Sequence, residues 1–496
     1  MAYFASLLLS SALAAVEPGV LPEDHRRLEK TVSYAQMETF LRSVDGKGPV
    51  RVSVEGRTSQ GRAVYLVHLT TAAPGVTPAW KVLFYAQQHG DEISGKDALL
   101  FLIRDVARRP SLLPPDVDLW IMPMMNPDGA EAGTRRNAAG ADLNRDHIVL
   151  EQPETQALYR VVRRMRPHVA VDSHEFGRDP KSWRAKGWRK WPDITMDGLN
   201  NPLFDRGVVA AARRRVDEAE SVEAKAGHPF LRYWVGDAPP DGEQRHSAPD
   251  VDSGMNAVGM YGGLSFIIEA AAFEGVAPAG DLGNRVDAYL VLYRRFLAED
   301  GRAEDLAAIE RAGKRPLPAF LPTNYFWVNP DASVTEFPVV EVGTGRALKV
   351  LTANMMTEVA VKATVPTPRG YAVLPPAAPT FRQLLEKHGI PFETLEAPRT
   401  ATAEAATLLR VEDDFDEVYS RYGGRQIVRR GEARITELPA GSLFVPLEGE
   451  AAVRAALLLE PVSLYGLYQF PRFRALAGSD GLLPVLRVVA KQDAAP

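Results

Sequence analysis

From Val50 to Glu274 the chain alternates two kinds of apolar pattern. The runs "VRVSVEG" and "AVYLVHL" flank the turn "GRTSQGR" and read as strands, while "KVLFYA" is continuously apolar, as a strand buried on both faces would be. "VDLWIMPM", "HVAVDSH" and "GLSFIIEA" extend the strand set. Between them apolar residues recur at helical spacing: over Ala98 to Arg109, halted by Pro110, in a helix closed by Arg160 to Arg166, and over Val208 to Val222 and Asp287 to Leu297. Strands interleaved with helices predict an α/β sheet covered on both faces. Apart from the helix at Val208, residues 177–260 are irregular and rich in Trp, Gly, Pro and Asp, the composition of a functional lid or binding wall.

Around "RAGKRPLPAFLP", Arg311 to Pro322, the composition shifts. Beyond it come strand-like "FPVVEV", "EVAVKATV" and "SLFVPL", with one helix, "TFRQLLEKHGI", between them. This predicts a catalytic α/β part over 16–316 and a smaller accessory α+β domain over 317–496. A length of 496 residues agrees, because it exceeds one ordinary core. At 46% hydrophobic and 24% charged the composition is that of a globular protein, and a net charge of −5 offers no basic surface for nucleic acid. There is no cysteine, which excludes thiol catalysis, disulfides and thiolate metal sites. Any transition metal must then be held by His and carboxylates.

The first residues, "MAYFASLLLSSALAAVEPGV", are small and apolar from Ala5 to Ala15, and Ala12-Leu13-Ala14 fits a signal-peptidase site, although no Lys or Arg precedes them. This predicts a signal peptide over 1–15 and a secreted or periplasmic protein, cytoplasmic if the leader is not a signal. No other stretch approaches the ~18 apolar residues of a membrane span, so no stable membrane insertion is expected.

The stretch "FYAQQHGDEISGKDALLFLIRD" carries the candidate chemistry and two incompatible readings. Gly90 to Lys96 has the glycines and lysine of a phosphate-binding loop, but Asp97 stands where a Ser or Thr must bind magnesium, and its charge would repel phosphate. A nucleotide-binding protein is therefore the weaker reading. His89 and Glu92, three apart, have the spacing of two zinc ligands. A catalytic zinc needs a third ligand, and His174 in "HVAVDSHEFG" follows another apolar strand. Glu269 follows a third, "GLSFII". All three would sit at carboxyl ends of strands, where open α/β sheets bind ligands. No G-x-S-x-G motif offers a serine nucleophile.

"HGDE", "NPDG", "RRNAAGADLNRD", "VDSHE" and "LSFIIE" occur in the order found in the zinc carboxypeptidase family of metallopeptidases, which the chain resembles over about residues 34 to 300. "LNRD" and "HE" look like those of bacterial members. The resemblance implies a mixed central sheet flanked by helices and one Zn²⁺ per chain, held by His89, Glu92 and His174. It makes Glu269 the general base, Arg135 the oxyanion stabiliser with Arg136 as fallback in the "RR" pair, and Asn144 and Arg145 the grip on a free carboxylate. Asp142 would orient His89, and Asp172 is either a solvated strand residue or an outer partner of the site. The implied activity is release of a C-terminal residue from a peptide or peptide-like substrate with a free carboxylate. Alternatives are an amidase or deacylase acting on cell-wall peptides or N-acyl amino acids, and a non-catalytic zinc-containing peptide-binding protein.

The chain departs from the pattern in three places. A substrate-covering Tyr is absent from "GEQRHSAPD", with Tyr233 and Tyr261 the nearest substitutes. "EAAAFEG" lacks an arginine that bacterial relatives carry near the base, and "GMNAVGM" has Met255 where they tend to have Arg. The small apolar segment "SGMNAVGMYGG" hints at an uncharged terminal side chain. His147 and Glu151 read as a polar helix face rather than a second metal site, and His25, His68, His168, His228 and His388 lack partners at ligand spacing. The accessory domain is expected to cover the active-site funnel and favour short substrates.

Overall fold

The computed structural model describes residues 21–275, 277–413 and 421–489. The leader expected over 1–15 lies outside them. Eight strands form the central sheet: β1 (Val50–Arg57), β2 (Ala63–Thr70), β3 (Trp80–Ala86), β4 (Val117–Met122), β5 (Val169–Gly177), β6 (Ile194–Gly198), β7 (Phe230–Arg232) and β8 (Leu264–Ala272). Their order is β1-β2-β4-β3-β5-β8-β6-β7. The central run β4, β3, β5 and β8 is parallel, while β1–β2, β2–β4 and β8–β6 pair antiparallel. This is a mixed α/β sheet.

Alternation along the strands divides the core. Val82, Phe84 and Ala86 of β3 join one cluster with the helices Ser94–Arg108, Arg206–Ala226 and Asp281–Leu297. Leu83 and Tyr85 point the other way, into a second cluster with the helix Pro153–Met165. The same cluster takes in Tyr371, Phe381, Leu384, Leu385, Leu458 and Phe473. The C-terminal part thus supplies an outer layer over one face of the central sheet, and its largest apolar surface is not a core of its own. A smaller cluster around Ala372, Leu395, Ala403, Leu438 and Leu486 is built from its six-stranded antiparallel sheet and the adjoining Leu395.

Short strands also join the two parts. Trp188–Lys190 pairs antiparallel with Thr335–Glu341, and Gln244–Arg245 pairs parallel with Met355–Met356. Residues 177–260 therefore hold more order than their composition suggests. Besides these two short strands they supply β6 and β7 to the central sheet.

Candidate active site

The ladder registers bring the candidate residues together. Ala86, the last residue of β3, lies beside Ser173 of β5, and His174 lies beside Glu269 of β8. After β3 the chain turns sharply through Gln87, whose φ is 58°. The turn is held by Met125 N–H donating to the Ala86 carbonyl and Asn126 N–H to that of Gln87, both at 3.0 Å. Gly90 then lies flat against the helix Pro127–Ala132, where a Cβ would stand 2.1 Å from the Gly129 carbonyl carbon. Only glycine fits this approach, and it swings His89 and Glu92 back over the ends of β3 and β5. Tyr289, on the helix Asp281–Leu297, donates its hydroxyl to the His174 carbonyl from behind.

Three side chains converge. His89 Nδ1 is 2.6 Å from Glu92 Oε1, His174 Nδ1 is 2.8 Å from Glu92 Oε2, and the two Nδ1 atoms are 3.1 Å apart. Among the described residues these three have ligand atoms all within 4.8 Å of one another. Two imidazole nitrogens and a carboxylate aimed at one point form the His₂Glu set that suits zinc, with a side left open. The outer nitrogens support the same reading. His89 Nε2 faces Asp142 Oδ1 at 3.2 Å and His174 Nε2 faces Asp172 Oδ2 at 3.0 Å. A carboxylate on each Nε2 fixes the proton there and leaves the Nδ1 lone pair free to ligate. The donor set therefore fits a divalent cation. Asp172 is fully buried against His174 and so is not the solvated strand residue of the first reading; its place two residues before His174 on β5 was the signal for the contact.

Glu269 sits beside this cluster in a cavity of about 240 Å³. Burial pushes its carboxyl up to about 7, further raised by the Glu92 charge and opposed by His174, Lys190 and His89. Glu92 moves the other way, for His89 and His174 outweigh its burial. Two carboxyls in one cavity are thereby driven apart, one ionised and one poised to exchange a proton near neutrality.

Arg135 reaches the cluster, with Nη1 3.1 Å from His89 Nδ1 and Nε 3.1 Å from Asp142 Oδ2. Arg136 does not. It donates to the Gly140 carbonyl at 3.0 Å and lines a separate depression with Arg62 and Asp128, whereas Arg135 of the "RR" pair lines the cavity. Asn144 and Arg145 both line the cavity. Asn144 is already engaged: its Oδ1 accepts from Gly254 N–H at 2.7 Å and its Nδ2 is 3.3 Å from His174 Nε2. Arg145 Nη1 donates to the Asn144 carbonyl and Nε lies 3.9 Å from Asp252.

Of the two tyrosines, Tyr233 lines the cavity, whereas the Tyr261 hydroxyl contacts His388. Lys96 is buried against Asp97, Thr31 and the Val32 carbonyl, turned away from any phosphate position. His147 is not on a polar face but fully buried, between Tyr159 and Gln88, and Glu151 pairs with Arg472. Gln88 in turn donates to Asp172 at 2.7 Å, and Asp172 faces His174, so His147 is tied to the His89–Glu92–His174 cluster through two intermediates. The cavity also holds residues that local sequence patterns could not reveal: Arg245, Asp250, Asp252 and, from the C-terminal part, Arg421.

Residues 37–178 match the family model described as zinc carboxypeptidase. Carboxypeptidase 2 of Trichophyton tonsurans is 26% identical over 429 residues, covering 81% of this chain and 75% of that protein. The Trichophyton rubrum protein of the same name is 24% identical and covers 84% of this chain and 78% of its own length. Both spans exceed residues 16–316, so the likeness extends into the C-terminal part. Among solved structures, a metallo-carboxypeptidase from Pseudomonas aeruginosa is similar at 24% identity and a TM-score of 0.40, over 53% of this chain and 69% of that one.

Proposed function

We propose, from the likeness of residues 37–178 to the zinc carboxypeptidase family, how the chain's own residues carry out a carboxypeptidase-type hydrolysis and on what. The observation that carries the reading is the convergence of His89, Glu92 and His174 on one point, with Glu269 alongside at the next strand end. Zinc held by these three residues, one per chain, would supply a Lewis acid and acidify a water molecule.

Glu269 accepts the proton of the attacking water and returns it to the departing amine, and a carboxyl near 7 suits both directions. Arg135, at the open edge of the cluster, faces the negative charge that grows on the scissile carbonyl oxygen, an interaction worth about 3 kcal/mol in such sites. Arg145 presents the planar fork that binds a terminal carboxylate, with Asn144 beside it. Only a chain end offers a carboxylate at that distance from the scissile bond, which makes the reaction exopeptidic. Tyr233, which lines the cavity, is the residue we assign to covering the substrate. Asp142 and Asp172 hold the two imidazoles in ligating orientation.

The substrate class is a short peptide with a free carboxylate. The cavity of about 240 Å³ takes one side chain and its flanking peptide, and the accessory part walls it with Arg421. Export through the leader is part of the reading, and among the described residues no helix is long and apolar enough to cross a membrane. The test is paired hydrolysis of peptides with free and amidated C-termini, with and without chelator. Cleavage of free ends alone, abolished by chelator, is the expected result, and equal cleavage of amidated ends would refute it.

A further inference from the structure

Asp252 lies in the active-site cavity beside Arg145, yet it is held from the far end of the chain. Its Oδ2 accepts from Arg421 Nη1 at 2.9 Å and from the Tyr422 hydroxyl at 2.7 Å. Arg145 Nε stands 3.9 Å from the same oxygen. The Asp252 side chain is only 2% exposed. Burial alone would drive its carboxyl up, but Arg145 and Arg421 outweigh it and keep Asp252 ionised.

A buried carboxylate this close to Arg145 has two possible states. Left to itself it would close into a direct ion pair and occupy the guanidinium that a substrate carboxylate must reach. Held by two other donors, it balances the charge of Arg145 without capping it. The distances describe the second state: the short contacts go to Arg421 and Tyr422, and the long one to Arg145. Both holding residues sit just before the strand Arg425–Leu438 of the C-terminal sheet. They reach the catalytic part because the two parts share a core.

We propose that Arg421 and Tyr422 are positioning residues for recognition of the substrate's terminal carboxylate: they hold Asp252 off Arg145, so that the C-terminal part completes the substrate-binding site. This rests on the reading of Arg145 as the carboxylate grip. Arg421 acts through Asp252, and its effect belongs to binding, not to the chemical step.

Steady-state kinetics of the full-length zinc-loaded protein on one short peptide, with its amidated twin as control, test this. Arg421→Gln should raise KM roughly tenfold, the scale of one lost charge-assisted hydrogen bond, with kcat within about twofold. Tyr422→Phe, which removes one hydroxyl and carries the test should the Arg421 variant not fold, should raise KM in the same direction by a few-fold. The double variant Arg421→Gln with Asp252→Asn should recover part of the lost affinity, because the competing charge is gone. A merely structural role would not give that rescue. An unchanged KM in the single variants, or a double variant no better than Arg421→Gln, overturns the proposal while wild type still prefers free ends. A wild type indifferent to amidation overturns the reading of Arg145, and the proposal with it.

Discussion

Glu269→Gln should make the metal-free protein more stable and the enzyme nearly inactive. Burial raises the Glu269 carboxyl from 4.5 to about 7. A shift of that size corresponds to about 3 kcal/mol of destabilisation once the group is ionised in the folded state, at ~1.4 kcal/mol per pH unit, and to less in practice because the side chain opens onto cavity water. The sign follows from proton binding. Between 4.5 and 7 the folded state binds more protons at this site than the unfolded state, so the contribution of Glu269 to stability falls as pH rises through that window. Above 7 the cost is complete, and below 4.5 it is absent. Glutamine keeps the shape and removes the charge, so the stability gain of the variant over wild type should be near zero at pH 4 and grow to about 2–3 kcal/mol by pH 8. Chemical denaturation of both proteins in chelator, across that range, measures the difference. The same substitution removes the proton carrier, and kcat/KM should fall by about 10² to 10⁴. A variant no more stable than wild type at pH 8, or one whose advantage grows toward acid, would refute the reasoning.

Asp142→Asn and Asp172→Asn should each weaken zinc binding by roughly 10- to 100-fold, read by competition against a chromophoric chelator, because a neutral acceptor replaces the anionic one on an imidazole Nε2. Arg135→Ala should lower kcat by about 10² to 10³ with a smaller change in KM. Arg145→Ala should instead raise KM for peptides with a free end and erase their advantage over amides. Burial lowers His147 to about 4, so the unfolded state binds the extra proton between 4 and 6.5 and His147 costs the protein stability as pH falls through that window. His147→Gln should flatten the acid side of the denaturation profile between those values.

Much of the candidate site was legible because its residues are marked by local sequence. His89, His174 and Glu269 each follow an apolar run, and the spacing of Glu92 from His89 is visible within four residues. The parallel registers of β3, β5 and β8 then do the rest. What was hidden depends on contacts distant in sequence. Asp252 reads as a loop acid until Arg421 and Tyr422, about 170 residues later, are folded against it. Strands β6 and β7 were missed because runs as short as "ITMDG" and "FLR" carry no periodicity, and the sheet alone makes them strands. His147 was misread for the opposite reason. Its polar neighbours suggested an exposed face, whereas Tyr159 and Gln88 satisfy both ring nitrogens and make full burial tolerable. The C-terminal part looked separate by composition, and only packing shows Phe381 and Leu458 in one cluster with Leu83 and Tyr85.

The most direct test of the account is the metal content of the purified full-length protein and of its His89→Ala and His174→Ala variants, by elemental analysis after gel filtration. Close to one zinc per chain is expected in wild type and little in either variant, with folding preserved by circular dichroism. Variants that retain zinc at the wild-type level would contradict it.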